Sequence, residues 1–247
     1  MDRLIYTSIS AMRGAMARQA STANNLANAS TTGFRAEMSS ARAMWLKGEG
    51  YATRAQASEE VTAADMKAGV VQQTGRDLDI AIEGDGMLAV QSREGDEAYT
   101  RRGDLQLTDS GLLTTADGAP VLGDQGPITL PPADKISIAK DGAIWIVPQG
   151  GDANNPQKVE QLKLVSPAGS KVVKALDGLF RVEGGGALPS DPGGRVNPGS
   201  LEGSNVNASA ALVDMIDASR AWETQIKLIT TAQDLDKSSA DLMRLPD

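Results

Sequence analysis

Four acidic residues fall close together in this chain: Asp77, Asp79, Glu83 and Asp85. On an extended strand alternate residues share a face, so three of them could be presented together. Such a group could bind Ca²⁺, or supply a general acid and a general base for sugar hydrolysis. The plainer reading is the solvent face of an edge strand. It is favoured because no EF-hand loop and no second ligand cluster accompany the acids. Gly84-Asp-Gly86 reads as a hairpin turn, and neither it nor Gly184-Gly-Gly186 has the full Rossmann or Walker spacing of a phosphate loop. Arg101-Arg102 lacks interleaved aromatics and reads as a surface pair. The chain has no histidine and no cysteine. That excludes disulfides, thiol nucleophiles, Ser-His-Asp triads and His-based metal sites. No catalytic, cofactor-binding or metal residue is assigned, and the chain is read as no enzyme. A carbohydrate- or metal-binding β domain with helical oligomerisation ends stays open as an alternative.

The elements that would position any site are of two kinds. Ile5, Ile9, Met12, Met16, Gln19, Ala23 and Leu26 step by four and three near the start. Leu212, Met215, Ser219, Trp222, Ile226 and Ile229 do so near the end, and Leu228, Leu235 and Leu242 add a seven-residue row. This spacing places apolar side chains on one helix face, with the near-heptad repeat that suits helix packing. The first helix is expected from about residue 2 or 3 to Ala27, where Asn28 to Gly33 stops it. The last is expected to begin after Asn205 or Asn207 and to run to about Met243.

Between them the period changes to two. Leu78, Ile80 and Ile82 alternate with acids, which marks a half-buried strand. Short apolar runs then alternate with Asp-Gly and Gly-rich turns through Leu179–Val182, as in an antiparallel β domain. Residues 184–203 hold ten Gly or Pro and read as a linker leaving that domain. Residues 36–75 are polar and Ala-rich, with Trp45 and Tyr51 as isolated anchors. The fold class is α+β. N- and C-terminal helices pack together as a coiled-coil-like element, with a central, mainly antiparallel β domain. The expected organisation is an N-terminal helix over 1–35, an extended connector over 36–75, a β-rich domain over 76–200 and a C-terminal helix over 201–247.

Composition narrows the partners. The net charge of −8 argues against general nucleic-acid binding. No apolar run reaches the roughly 18–20 residues needed to cross a bilayer, so no direct membrane insertion is expected. The N-terminus lacks a continuous apolar stretch after Arg3, and no secretory signal is expected. Residues 1–35 carry four Arg against one Asp, a net of +3, and residues 205–247 carry four bases against seven acids, a net of −3. Opposite signs favour pairing of the two ends, within one subunit or between subunits.

Four segments resemble one known family. Asn24-Asn-Leu-Ala-Asn-Ala-Ser-Thr-Thr-Gly-Phe34 is similar to the signature of the flagellar rod and hook proteins. Gly84-Asp-Gly-Met-Leu-Ala-Val90 resembles an internal segment of that family. Tyr99-Thr-Arg-Arg-Gly-Asp104, with Leu112 and Asp117 to Leu122, resembles a strand pair. Leu201-Glu-Gly-Ser-Asn-Val206 resembles the lead into its last helix. The opening Met1 to Thr7 looks most like the proximal rod members, with the distal rod members as the runner-up.

The resemblance implies a structural subunit of the bacterial flagellar basal body that crosses the periplasm and transmits torque. The terminal helices would form an inner tube and the β domain would lie outside. Partners would be other rod subunits, proximal and distal, copies of itself, and the flagellar type III export apparatus; no cofactor is implied. The interface residues expected from the helices are Ile5, Ile9, Met12, Met16, Leu26, Trp222, Ile226, Leu228, Ile229 and Leu235. Those expected from the motifs are Asn24, Asn25, Asn28, Gly33, Phe34, Gly203, Asn205 and Val206.

Overall fold

A computed structural model describes residues 2–45, 55–152 and 155–243. They form two compact units. One comprises Met1–Ala27, Glu37–Ala63 and Asn207–Asp247, and the other Asn28–Ala36 and Ala64–Val206.

The first unit holds helix α1 (Asp2–Ala27), strands β1 (Glu37–Trp45) and β2 (Ala55–Ala64), which pair, and helix α2 (Ala208–Met243). Ala, Met, Leu and Arg give α1 its propensity. Asn207 caps α2, accepting from the Ala210 N–H at 3.1 Å. Within the stretch expected as an extended connector, β1 and β2 pair with each other, and β1 packs on α1. Tyr51 and the side chain of Trp45 lie outside the described part.

The helices pack against each other. They run antiparallel, because the segments leaving α1 and entering α2 are hydrogen-bonded to one another, Asn205 N–H to Phe34 O at 3.3 Å. The buried stripe is not the one that the large apolar residues trace. In α1 it is made by Ser8, Gly14, Ala15 and Ser21. In α2 Ala211, Ala218 and Ala232 are buried, with Met215, Trp222 and Ile229 half-buried. These α2 positions keep the expected four–three rhythm. Small side chains allow helix axes to approach closely, and the most buried residues of these two packed helices are Ala, Ser and Gly. Ile9, Met16, Gln19 and Ala23 of the expected α1 face are exposed, as are Leu212, Ser219 and Ile226 of α2.

The second unit is all β among the described residues. Its strands are β3 (Val71–Gln73), β4 (Ile80–Ile82), β5 (Met87–Gln91), β6 (Glu97–Thr100), β7 (Leu105–Leu107) and β8 (Leu113–Thr115). There follow β9 (Leu122–Gly123), β10 (Gly126–Pro127), β11 (Ala133–Ile138), β12 (Ala143–Pro148) and β13 (Gln157–Gln161). The last are β14 (Leu164–Val165), β15 (Val172–Lys174), β16 (Phe180–Val182), β17 (Val196–Pro198) and β18 (Ser200–Glu202). A five-stranded sheet runs β14-β5-β6-β16-β15 and a three-stranded one β11-β12-β13, all antiparallel.

Strand β5 lies between two cores. Leu88 and Val90 join an aliphatic cluster with Ile80, Leu105, Leu113, Ile144 and Val196. Met87 and Ala89 join a second one with Tyr99, Val165 and Phe180. Burial on both faces explains why β5 reads as a continuous apolar run. Two expectations change here. The Gly/Pro-rich stretch 184–203 is not only a linker, since β17 pairs with β4 and β18 with β3. Strand β4 is wholly buried rather than alternating.

Candidate functional site

The four motif segments all reach the β unit, the first of them from Asn28 onward. Glu202, in β18, is at the centre. Its Oε1 accepts from Arg35 Nη2 at 2.6 Å and from the Gly69 N–H at 2.8 Å. Its Oε2 accepts from Arg101 Nε at 2.9 Å and Nη2 at 2.6 Å. Arg101 also donates to the carbonyls of Ile82, Gly84 and Gly86. All three charged side chains are only 1% exposed. Burial pulls the Arg101 guanidinium below its ordinary value, and Glu202 works against that shift. Two further nitrogens of Arg35, Nε and Nη1, are buried without a protein partner.

Sequence reading placed Arg101 on the surface with Arg102, and the structure corrects this. Only Arg102 is partly exposed, paired with Asp104 at 2.7 Å. The signal was present, since Arg101 and Glu202 each lie inside a motif and Arg35 directly follows one. A scattered Arg and Glu nevertheless read as surface charge unless paired.

Gly33 shows why the signature ends in Gly-Phe. Its φ is +67°, a left-handed conformation that suits glycine. A Cβ there would lie 2.5 Å from the Arg101 carbonyl carbon. Its N–H donates to Glu202 O at 2.7 Å. The half-buried Phe34 ring lies 3.6 Å beneath Lys174 Nζ, a cation–π contact. Asn205 Oδ1 accepts from the Ala36 N–H at 2.7 Å, and its amide donates to the carbonyls of Asp65 and Lys67. Thr31 Oγ1 donates to Asn28 Oδ1 at 3.1 Å in the turn after the helix. The Gly203 N–H donates to Val70 O at 2.9 Å, and Val206 is half-buried.

In the helical unit, Asn25 acts as a substitute strand partner. Its Nδ2 donates to Glu37 O at 2.9 Å and its Oδ1 accepts from the Glu37 N–H at 2.7 Å. Asn24 donates to the Glu37 carboxylate at 2.7 Å. Met12, Leu26, Trp222 and Ile229 are half-buried, whereas Ile9, Met16, Ile226, Leu228 and Leu235 are exposed. Ile5 lies in α1, and its side chain is outside the described part.

The acidic group carries no comparable arrangement. Asp79 is buried, not solvent-facing, and accepts from Thr74 Oγ1 at 2.6 Å beside Arg76 at 3.2 Å. Asp77, Glu83 and Asp85 are exposed. Among the described residues no group of three or more acids is placed to hold a metal ion. No helix among them is long and apolar enough to cross a membrane.

Known proteins are similar to this chain along nearly its whole length. It is 44% identical over 240 residues, 95% of both chains, to the flagellar basal-body rod protein FlgF of Escherichia coli K12. It is 41% identical to FlgF of Salmonella typhimurium LT2 over 99% of this chain and all of the relative. The chain belongs to the flagellar basal-body rod protein family. Three family profiles match in order: the flagella basal body rod protein over residues 5–35, the flagellar hook protein FlgE/F/G D1 domain over 81–146, and the flagellar basal body rod FlgEFG protein C-terminal over 197–242. FlgG of Bacillus subtilis is also similar, at 30% identity over 99% of this chain and all of the relative. The first and third profiles meet in the structure where Gly33 and Arg35 join Glu202, and the second contributes the Arg101 side chain and the carbonyls it holds.

Proposed function

We propose that this chain is a structural subunit of the flagellar basal-body rod, of the FlgF kind, that takes its place in the proximal rod. The observation that carries this reading is similarity to FlgF relatives over almost the full length of both chains. The chain joins other rod subunits and copies of itself through its terminal helices and passes torque across the periplasm. It reaches the rod through the flagellar type III export apparatus. Ile9, Met16, Ile226, Leu228 and Leu235 support assembly, because they are large apolar residues left exposed on packed helices. A distal rod position is the second reading, supported by the FlgG relative. The FlgF relatives favour the rod over a sugar- or metal-binding domain.

The test is genetic. In a flagellated bacterium deleted for its own FlgF gene, this chain restores swimming. A strain that remains immotile with normal levels of the exported chain would contradict the proposal.

A further inference from the structure

Near its end the β unit carries a short stretch, residues 196–205, that fastens distant parts of the chain. The Val196 N–H donates to Lys140 O at 2.9 Å, and the Val196 side chain is fully buried in the aliphatic core. Strand β17 then pairs with β4, and the Gly199 N–H donates to Asp79 O at 2.7 Å. Gly199 O accepts from the N–H groups of Thr74 and Gly75, at 2.8 and 3.0 Å. Glu202 follows with Arg35 and Arg101, at 2.6 Å each. Asn205 ends the stretch on the main chain of Phe34, Ala36, Asp65 and Lys67.

The rest of the β unit is incomplete without these residues. Strands β4 and β17 form a sheet of their own, and every residue of β4 is buried. Taking β17 away uncovers that strand and strips partners from buried main-chain groups. It also leaves Arg35 and Arg101 without their carboxylate. Among the described residues no other carboxylate is hydrogen-bonded to either arginine. Buried polar groups without partners and buried charges without counter-ions are strongly destabilising. A domain is folded by only a small margin.

We propose that residues 196–205 are a closing strand, and that the β unit stays unfolded until they are in place. The stretch follows every other part of the β unit in the chain except Val206. A chain that emerges from its N-terminus therefore carries the apolar runs of both cores but cannot close them until only the last helix is still to follow. Such timing keeps the chain extended while it passes through an export channel. That consequence rests on the export reading above, whereas the closing strand itself does not.

Native-state hydrogen exchange of the intact chain in low urea tests the proposal. The Ala89 and Leu113 amides are bonded to Lys163 O and Ile128 O, within the cores. The Val196 and Gly199 amides are expected to share their protection and their urea dependence, as parts of one opening. Protection about tenfold lower or more at Val196 and Gly199, with Ala89 and Leu113 still protected, would overturn it.

A second measurement separates the strand from the unit. Gly184, Gly185 and Gly186 have positive φ, and a Cβ at any of them would meet nothing within 4 Å. A protease site is inserted after Gly185 in the full chain, which is cut, unfolded and parted. Residues 1–185 alone are expected to refold without slow exchange at Ala89 and Leu113, and to regain it with a synthetic peptide of residues 186–206. The peptide with Glu202→Gln should be needed at a concentration on the order of a hundredfold higher. Slow exchange regained without any peptide would overturn the closing strand. These results are independent of swimming in the FlgF-deleted strain, so either reading can fail while the other stands.

Discussion

Arg35 and Glu202 stand 167 positions apart in the sequence and meet at 2.6 Å, out of contact with water. Arg101 holds the other oxygen of the same carboxylate. One acid thus ties the segment that leaves the first helix to the strand that leads into the last, inside a β unit that owns both. The helix-end signature is therefore also a β-unit feature.

Removing the acid should cost more than removing either base. Glu202→Gln leaves two buried guanidinium groups short of their counter-ion, and loss of one partner of a buried pair costs about 3–5 kcal/mol. Arg35→Met should cost less than Arg101→Met, because Arg35 has two buried donors without a protein partner while Arg101 is more fully bonded. Urea unfolding of the full chain, followed by tryptophan fluorescence, gives the order. Equal losses for the two arginine variants would contradict it.

Gly33 and Gly75 separate conformational strain from collision. Both have positive φ, but a Cβ at Gly75 has nothing within 4 Å. Gly75→Ala should cost about 1–2 kcal/mol from its left-handed backbone alone. Gly33→Ala adds a collision with the Arg101 main chain and should cost clearly more in the same measurement, with loss of swimming. Similar costs at the two positions would remove the collision from the account.

Tyr99 should titrate late. Burial is the main force that pushes its phenol up, to about 12, with the Glu97 carboxylate adding to the shift. The folded value lies above the ordinary 10, so the stability it contributes is complete below pH 10 and is lost as pH rises towards 12. Ultraviolet titration of the three tyrosines, compared with Tyr99→Phe, should assign the last phenolate to this residue. The variant also leaves the Leu188 N–H without its 2.6 Å acceptor, a loss of about 1–3 kcal/mol.

The seam can be overfilled. Ala218 is buried on a helix that packs against α1. Ala218→Leu should destabilise their pairing by about 1–3 kcal/mol, seen as a lower melting point of the helical circular dichroism. Leu228→Ala, on the exposed row, should leave that melting point unchanged. A large loss for Leu228→Ala would place the leucine in the intrachain seam.

The parts of this fold that were legible are those where burial repeats at short range. Both helices could be read from their period, and β5, β12 and β16 from apolar runs. The buried stripe was displaced, because Ile9 and Met16 mark one face of the helix while Ala15 and Ala218 are the residues buried. Strands β17 and β18 were hidden by Gly and Pro, which depress strand propensity but are tolerated where only three residues pair. The Arg35–Glu202–Arg101 cluster could not be derived from spacing, since its members are brought together only by long-range pairing. That each lies in or beside a family motif was the one available sign.

The central claim is that this chain is a rod subunit, and its position in the isolated organelle tests that most directly. Basal bodies are purified from the FlgF-deleted strain carrying an epitope-labelled copy, and the label is located by electron microscopy. The account expects the label on the proximal rod of intact basal bodies. Intact basal bodies without label, or label confined to another part of the organelle, would contradict it.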